Sequence, residues 1–270
     1  MLLPMSTAPA PHEVEAALFV CAEHPEALIA QVAALRELAG YRLVTGSDEH
    51  IRDVYLDTQD NTLRSHGIGL RVRHKNREVW LTLKADEQRG AWGVRRLERE
   101  VPWSREGLAL LAADLKTLGV QPPLPVDTSG ASDAVAALTQ SGLVVIQERE
   151  TFRRIRRIQQ PNHDETVAEL ALDSCAYRLR AGEVRTYEVE VELKAGDAAL
   201  LQQLNDAVRA RFPGGLRAWP YSKLATGIAL EQLLHKCGRA DILDQRDNLK
   251  PEACPALEAI LEQQADRSYK

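Results

Sequence analysis

Cysteine is scarce in this chain and scattered where it occurs. Cys21, Cys175, Cys237 and Cys254 form no C-x-x-C pair and carry no histidine at zinc spacing, which points away from a zinc module or a disulfide-stapled miniature fold. The spacing reads as reduced thiols of a cytoplasmic protein, with Cys21 and Cys175 packed inside strands. Aromatic residues make up only 5% of the chain, and no cluster of them suggests a pocket that stacks on a nucleobase or a thiazolium ring. No apolar run approaches the ~18 residues of a membrane span. Residues 1–11 lack a basic start followed by a long apolar stretch, so no secretory signal is read there. Glycine-rich phosphate cradles are missing as well, both G-x-x-x-x-G-K-[ST] and a strand-linked G-x-G-x-x-G, so a phosphate site would have to be built from side chains. Net positive charge is missing too. At −5 the chain is a poor generic binder of nucleic acid, and any polyanion site must be a local concentration of cations.

What is present is charge at every second position. Glu13 and Glu15, Glu98 and Glu100, and Glu188, Glu190 and Glu192 alternate in this way, and so do Arg71 with Arg73 and Arg154 with Arg156. The side-chain period of a strand is two, so each set shares one face. An ordinary half-buried strand turns its charges to water and its apolar residues to the core. Strands that close into a barrel with the charged faces inward would instead enclose a polar tunnel. Carboxylate pairs there suit divalent metal, and arginines and lysines suit a polyanion. Solvated outer faces are the plainer alternative.

Strands are expected at 12–20, 41–56 (one strand, or two separated by the turn-rich 45–48), 68–74, 79–85, 92–103, 144–158, 166–173, 176–180 and 184–194, and helices at 25–39, 104–118, 134–139, 197–212 and 222–237. Loops are expected at 57–61 and 87–91. A Pro-, Ser- and Gly-rich stretch at 120–132 separates two similar halves. Strands outnumber helices and follow one another through hairpins, so the sheet should be mostly antiparallel.

The ordered motifs H-E-V-E-A-A-L-F-V from His12, D-V-Y-L-D-T-Q-D-N-T-L-R-S-H-G-I-G-L-R-V-R from Asp53 to Arg73, W-L-T-L-K ending at Lys84, R-L-E-R-E-V from Arg96, A-L-D ending at Asp173, Y-E-V-E-V-E-L-K from Tyr187 and S-K at Ser222 and Lys223 resemble the CYTH domain of the triphosphate tunnel metalloenzymes. The resemblance covers about 12–230. It implies an α+β fold: an eight-stranded antiparallel β-barrel tunnel with flanking α-helices. Residues 1–230 would form this tunnel domain. Residues 231–270 would be a helical tail that in relatives leads to a CHAD domain, implying such a domain in the full-length protein. The implied reaction is Mg²⁺- or Mn²⁺-dependent hydrolysis of inorganic triphosphate to pyrophosphate and phosphate. The alternatives are a polyphosphate-binding module without turnover, an adenylate cyclase or a thiamine-triphosphatase. Neither nucleic acid nor a membrane is an expected partner.

By the same resemblance, Glu13, Glu15, Asp173, Glu188, Glu190 and Glu192 are the metal candidates; hard divalent cations prefer carboxylate oxygens. Arg71, Arg73, Lys84, Arg154 and Lys223 are the triphosphate candidates, since guanidinium grips phosphate oxygens through paired donors. Arg154 is preferred to Arg153, although a slip of one residue would exchange their faces. Arg156 and Arg157 read as surface charge. Glu98 and Glu100 line the same interior. No Ser–His–Asp or Cys–His arrangement is legible, so Glu13, Glu15, Arg154 and Asp173 would serve a metal-activated water. One departure stands out. Ala17 occupies the position where the family's E-x-E-x-K strand has lysine, and Arg52 or Arg64 would have to supply the missing charge.

Overall fold

The computed structural model describes residues 12–90, 93–125 and 133–268. Its elements, in chain order, begin with β1 (His12–Val20), α1 (Pro25–Ala33), β2 (Glu37–Leu38), β3 (Tyr41–Asp57), α2 (Thr62–Ser65), β4 (Gly69–Lys75), β5 (Glu78–Gly90) and β6 (Gly93–Pro102). Then come α3 (Arg105–Thr117), α4 (Ala134–Gln140), β7 (Val144–Gln159), β8 (Thr166–Leu179) and β9 (Gly182–Leu193). The chain finishes with α5 (Ala198–Arg211), β10 (Leu216–Ala218), α6 (Lys223–Cys237), α7 (Arg239–Ile242), a 3₁₀ turn (Pro251–Ala253) and α8 (Cys254–Ser268).

The strands pair in the order β1-β6-β5-β4-β3-β7-β8-β9, and β9 returns to β1, so eight antiparallel strands close on themselves. Short β2 and β10 hang on β3 and β1. The register decides what looks inward. Glu13 stands opposite Arg96, Glu15 opposite Glu192, Arg71 opposite both Tyr55 and Thr82, Asp53 opposite Arg149, and Asp173 opposite both Arg153 and Glu188. All of these lie on one face of their strands, and that face is the lumen. The opposite face carries the apolar residues. Leu18, Leu170, Leu172, Val189 and Val191 pack under α1 and α5 through Ile29, Val32, Leu201, Leu204 and Val208. Leu70, Val72, Leu81 and Leu83 pack under α3 and α4 through Leu108, Leu111, Leu115 and Leu138. Each such side chain contributes about 1.5–3 kcal/mol by leaving water. The hydrophobic cores therefore wrap the outside of the barrel, and the charged faces have nowhere to point but its centre.

One end of the barrel is stoppered. Phe19, Cys175, Tyr177 and Val184 are lumen-facing by register, yet they pack against Ala229, Leu230, Leu233 and Leu234 of α6 and against Leu257 and Leu261 of α8. Gln147 donates to the Leu224 carbonyl at 3.0 Å, and a methyl group on Gly227 would run into the Gln147 amide and the Tyr177 ring. Ser222 caps α6 by accepting from the Ala225 amide, which sets Lys223 at the first helical position. The tail is thus part of the stopper.

Several sequence expectations are corrected here. The helix expected over 25–39 ends at Ala33, because Ala39 and Gly40 both take positive φ (51° and 84°) and form a two-residue hairpin turn pairing Leu38 with Tyr41. The loop expected at 87–91 is strand through Gly90: a register shift between Ala85 and Gln88, with Asp86 at φ 51°, lets the ladder resume beyond it. The two strands expected at 166–173 and 176–180 are one, β8. Of the linker at 120–132, residues 126–132 lie outside the described residues. No helix among the described residues is long and apolar enough to cross a membrane.

The reduced-thiol expectation is also overturned. Cys21, just past β1, is disulfide-bonded to Cys254 at the start of α8, with Cα atoms 6.3 Å apart; Cys175 and Cys237 are free. Two cysteines 233 residues apart meet because α8 returns to the end of β1. Cross-links of this kind typically contribute about 2–4 kcal/mol, chiefly by restricting the unfolded chain. Cys21→Ser is therefore expected to lower the melting temperature under oxidising conditions and to match wild type once a dithiol is present. Identical oxidised melts would show that the bond contributes nothing.

Candidate active site

One side of the lumen is organised around a single carboxylate. Asp53 accepts from Arg73 Nε at 2.8 Å and Nη2 at 3.0 Å, from Arg71 Nη1 at 3.3 Å and from Arg149 Nη2 at 2.6 Å. Burial alone would raise its pKa, but Arg71, Arg73 and Arg149 outweigh that and hold it well below the usual carboxylate range. Tyr55 sits beside them. Arg71 donates to its hydroxyl at 3.2 Å, and the guanidinium carbons of Arg71 and Arg149 lie 5.9 and 5.6 Å from its ring centroid. Burial opposes ionisation, yet the two arginines bring the phenol down to about 8. A tyrosinate absorbance step near pH 8, absent from Tyr55→Phe, is the expected result. A first step only near the ordinary value of about 10 would contradict this geometry. Because the folded value is depressed, this phenolate adds stability above the unfolded pKa that is lost as pH falls through about 8.

The other side gathers the acids of β1, β8 and β9. Arg153 donates to Asp173 from Nε at 2.8 Å and Nη2 at 2.7 Å, and to Glu190 at 2.5 Å. Lys223 reaches in from α6 to Asp173 at 3.1 Å, to Glu188 at 2.9 Å and to Glu190. Lys84 joins Glu13 at 2.8 Å to Glu98 at 3.2 Å. Arg96 contacts Glu13 at 3.2 Å and also Glu15. Glu98 and Glu100 link the two sides through Arg71 at 3.4 Å and Arg73 at 3.5 Å. Side-chain exposure runs from 0–1% at Asp53, Arg149, Asp173 and Glu188 to 20–32% at Lys84, Glu98 and Glu100, as expected of a chamber shut at one end and wet at the other.

Most residues singled out from sequence thus meet in one lumen. Glu192 shares the lumen face opposite Glu15 but pairs with Lys194 at 2.6 Å instead of with the central cations. One residue is not in the lumen. Arg154 is on the outer face of β7, with its guanidinium over the Phe152 ring, and Arg153 takes the lumen position; the preference for Arg154 is corrected. Arg149, Arg96, Asp53 and Tyr55 were not singled out. Arg96 was legible, since it shares a face with Glu98 and Glu100. Arg52 and Arg64 do not replace the lysine missing at Ala17: Arg52 bonds Glu148 and Arg64 bonds Asn61. Arg156 is more than surface charge, donating to the carbonyls of Leu35 and Leu43.

A family model described as the CYTH domain matches residues 27–212. The chain belongs to the CYTH domain family. HpAC1 of Hippeastrum, an adenylyl cyclase candidate for which a dominant triphosphatase activity is described, superposes with a TM-score of 0.51 at 17% identity, covering 81% of this chain and 96% of that one. An adenylate cyclase candidate from Bacillus halodurans gives a TM-score of 0.47 at 20% identity, covering 78% and 94%. No curated protein matches. The first likeness establishes the CYTH tunnel fold. The family match stops short of β1 and α6, so Glu13, Glu15 and Lys223 enter this CYTH lumen on geometry alone.

CYTH enzymes are typically dependent on a divalent metal, and the donors here suit one. Glu13, Glu15, Glu188 and Glu190 offer only oxygen, the preference of Mg²⁺ and Mn²⁺. Glu188 Oε1 is buried without a hydrogen-bond partner. Glu15 and Glu188 are pushed above the usual range, by burial first and then by neighbouring carboxylates; a cation held there would offset both. Among the described residues no three such side chains already converge on one point. Arg96, Arg153 and Lys223 stand between them.

Proposed function

We propose that this CYTH domain hydrolyses inorganic triphosphate to pyrophosphate and phosphate with Mg²⁺ or Mn²⁺. The observation that carries the reading is the turning of Arg71, Arg73, Lys84, Arg96, Arg149, Arg153 and Lys223, with their carboxylate partners, into one closed-ended lumen. A triphosphate is small and densely anionic, and its oxygens can replace the carboxylates as acceptors for these donors. Arg71, Arg73, Lys84, Arg153 and Lys223 would hold the phosphates, joined by Arg149. Glu13, Glu15, Glu188 and Glu190 would hold the cation. When bound, the cation supplies charge neutralisation at the transferring phosphoryl group. The side chains align that group for water, and its bond to the departing pyrophosphate breaks as the bond to water oxygen forms.

The aromatics at the closed end and centre of the lumen offer little to a nucleobase or a thiazolium ring. Tyr55 is covered by Arg71 and Arg149, and Phe19 and Tyr177 are packed into the stopper; half-buried Trp80, opposite Arg73, is the lumen-side aromatic left among the described residues. The α6 stopper also disfavours threading of long polyphosphate. A binding module without turnover is the second reading, favoured by Ala17, which faces Glu190 where a lysine is expected. The test is phosphate release from tripolyphosphate, ATP and thiamine triphosphate with Mg²⁺ or Mn²⁺. Release from tripolyphosphate far above the other two is the expected result. Release from none, with any divalent ion, removes the hydrolase, and retention of tripolyphosphate on a filter would then select the binding module.

A further inference from the structure

All three terminal nitrogens of Arg96 are engaged by carboxylates. Nε and Nη2 hold Glu13 and Glu15, the pair assigned above to the cation, while Nη1 already touches Glu87 Oε2 at 3.4 Å. The side chain is only 8% exposed, and Glu87, at 24%, lies in the bulge of β5 between Ala85 and Gln88, across from Arg96. A divalent ion entering at Glu13 and Glu15 therefore meets a site already neutralised by a guanidinium. Guanidinium and a hard dication cannot share the same oxygens without repulsion, so one must leave. Glu87 is the acceptor to which Arg96 can transfer by rotating its outer torsions. Glu98, whose charge Arg96 also feels, lies two residues along the same face of β6.

We propose that Arg96 is an internal counterion that occupies the acidic pair in the empty tunnel and is exchanged for the divalent cation when triphosphate enters. The inference rests on the metal-dependent reading above and extends it from where the cation binds to how it is admitted. The exchange couples the two ligands. With the cation alone, displacing Arg96 costs a buried ion pair and leaves only Glu87 in return. With triphosphate present, the displaced guanidinium gains phosphate oxygens. Cation and triphosphate must then raise each other's affinity by the same factor.

The test is Mn²⁺ binding, followed by the paramagnetic resonance of the free ion, with and without a bridging-imido analogue of triphosphate that is not hydrolysed. Arg96→Gln is expected to bind Mn²⁺ alone at least about tenfold more tightly than wild type and to lose most of the enhancement by the analogue; tenfold is the effect of removing one ion-pair competitor worth about 1.4 kcal/mol. Glu87→Gln, a rim change that leaves Glu13 and Glu15 paired, is expected to weaken Mn²⁺ binding in the wild-type background and to do nothing when combined with Arg96→Gln. Arg96→Lys, which keeps the charge but lacks the fork, is expected to fall between wild type and Arg96→Gln, and it carries the test if Arg96→Gln does not fold. Equal or weaker Mn²⁺ binding by Arg96→Gln, or by Arg96→Lys in its place, overturns the exchange. So does an effect of Glu87→Gln that persists without Arg96. If neither wild type nor the Arg96 variants bind Mn²⁺ with or without the analogue, the metal reading itself falls, and that outcome is separable from the first.

Discussion

Arg153→Ala is expected to lower kcat/KM for tripolyphosphate by about 10²–10³-fold, the cost of deleting one preorganised donor at developing phosphoryl charge, while Arg154→Ala stays close to wild type. The two residues are adjacent, equally charged and equally long. Only the pleat separates them. Arg153 shares its face with Gln147, Arg149 and Thr151, and its guanidinium lies between Asp173 and Glu190. Arg154 is on the other face, stacked on Phe152. Removing Arg153 does not leave the acids bare, because Lys223 still reaches Asp173, Glu188 and Glu190. The loss should therefore appear in turnover more than in the melting temperature. A control melt of Arg153→Ala within a few degrees of wild type, with hydrolysis gone, is the decisive combination. Equal losses in both variants, or a larger loss in Arg154→Ala, would reverse the assignment of faces.

The same pair of residues shows where sequence reading stops. Wherever a strand packs under a helix, its apolar alternation announces which side faces in. Leu70 and Val72 point to the α3–α4 core, so Arg71 and Arg73 must point to the lumen, and Leu172 does the same for Asp173. Val189 and Val191 likewise turn Glu188 and Glu190 inward. On β7 that cue fails. Its middle stretch has a wet outer face, where Arg52, Glu148, Glu150 and Arg178 bond one another and Phe152 is only half-buried. Ile155 then appears on the lumen face, against the bulge at Gly46 that a Cβ would fill. With arginines on both faces and apolar residues on both, the period of two is present but its phase is not. Asp53 was hidden for another reason: it is one acid among several on β3, with Asp48, Glu49 and Asp57, and nothing sets it apart until three arginines from two neighbouring strands are seen around it. The Cys21–Cys254 bond lay beyond reach because it depends on the path of the tail, which no local pattern encodes.

Asp53→Asn is expected to be the most destabilising single change in the lumen. The carboxylate is the only acceptor that Arg149 shares with Arg71 and Arg73, and the side chains of Asp53 and Arg149 are both 1% exposed. Asparagine keeps the shape but removes the charge and turns amide hydrogens toward guanidinium. Breaking a buried pair by removing one partner costs about 3–5 kcal/mol, because the other charge stays buried and uncompensated. Here three guanidinium groups lose a partner: Arg71 keeps Glu98 and Arg73 keeps Glu100, while Arg149 keeps no carboxylate among the described residues, only the Thr151 hydroxyl and the rings of Tyr55 and Tyr177. For a chain of this size that loss corresponds to a melting temperature lower by roughly 6–20 °C. The pH dependence has a definite sign. Asp53 is depressed on folding, so its contribution is complete above the unfolded value of about 3.9 and is lost as pH falls through the lower folded value. The gap between wild type and Asp53→Asn should therefore be full at pH 7, still large at pH 4, and close only in stronger acid. Added tripolyphosphate should also recover part of the lost stability in the variant, since its oxygens can take over the arginines that the neutral amide no longer satisfies. A variant that melts with wild type at pH 7 would mean that the three arginines find other acceptors, and that Asp53 does not organise this side of the lumen.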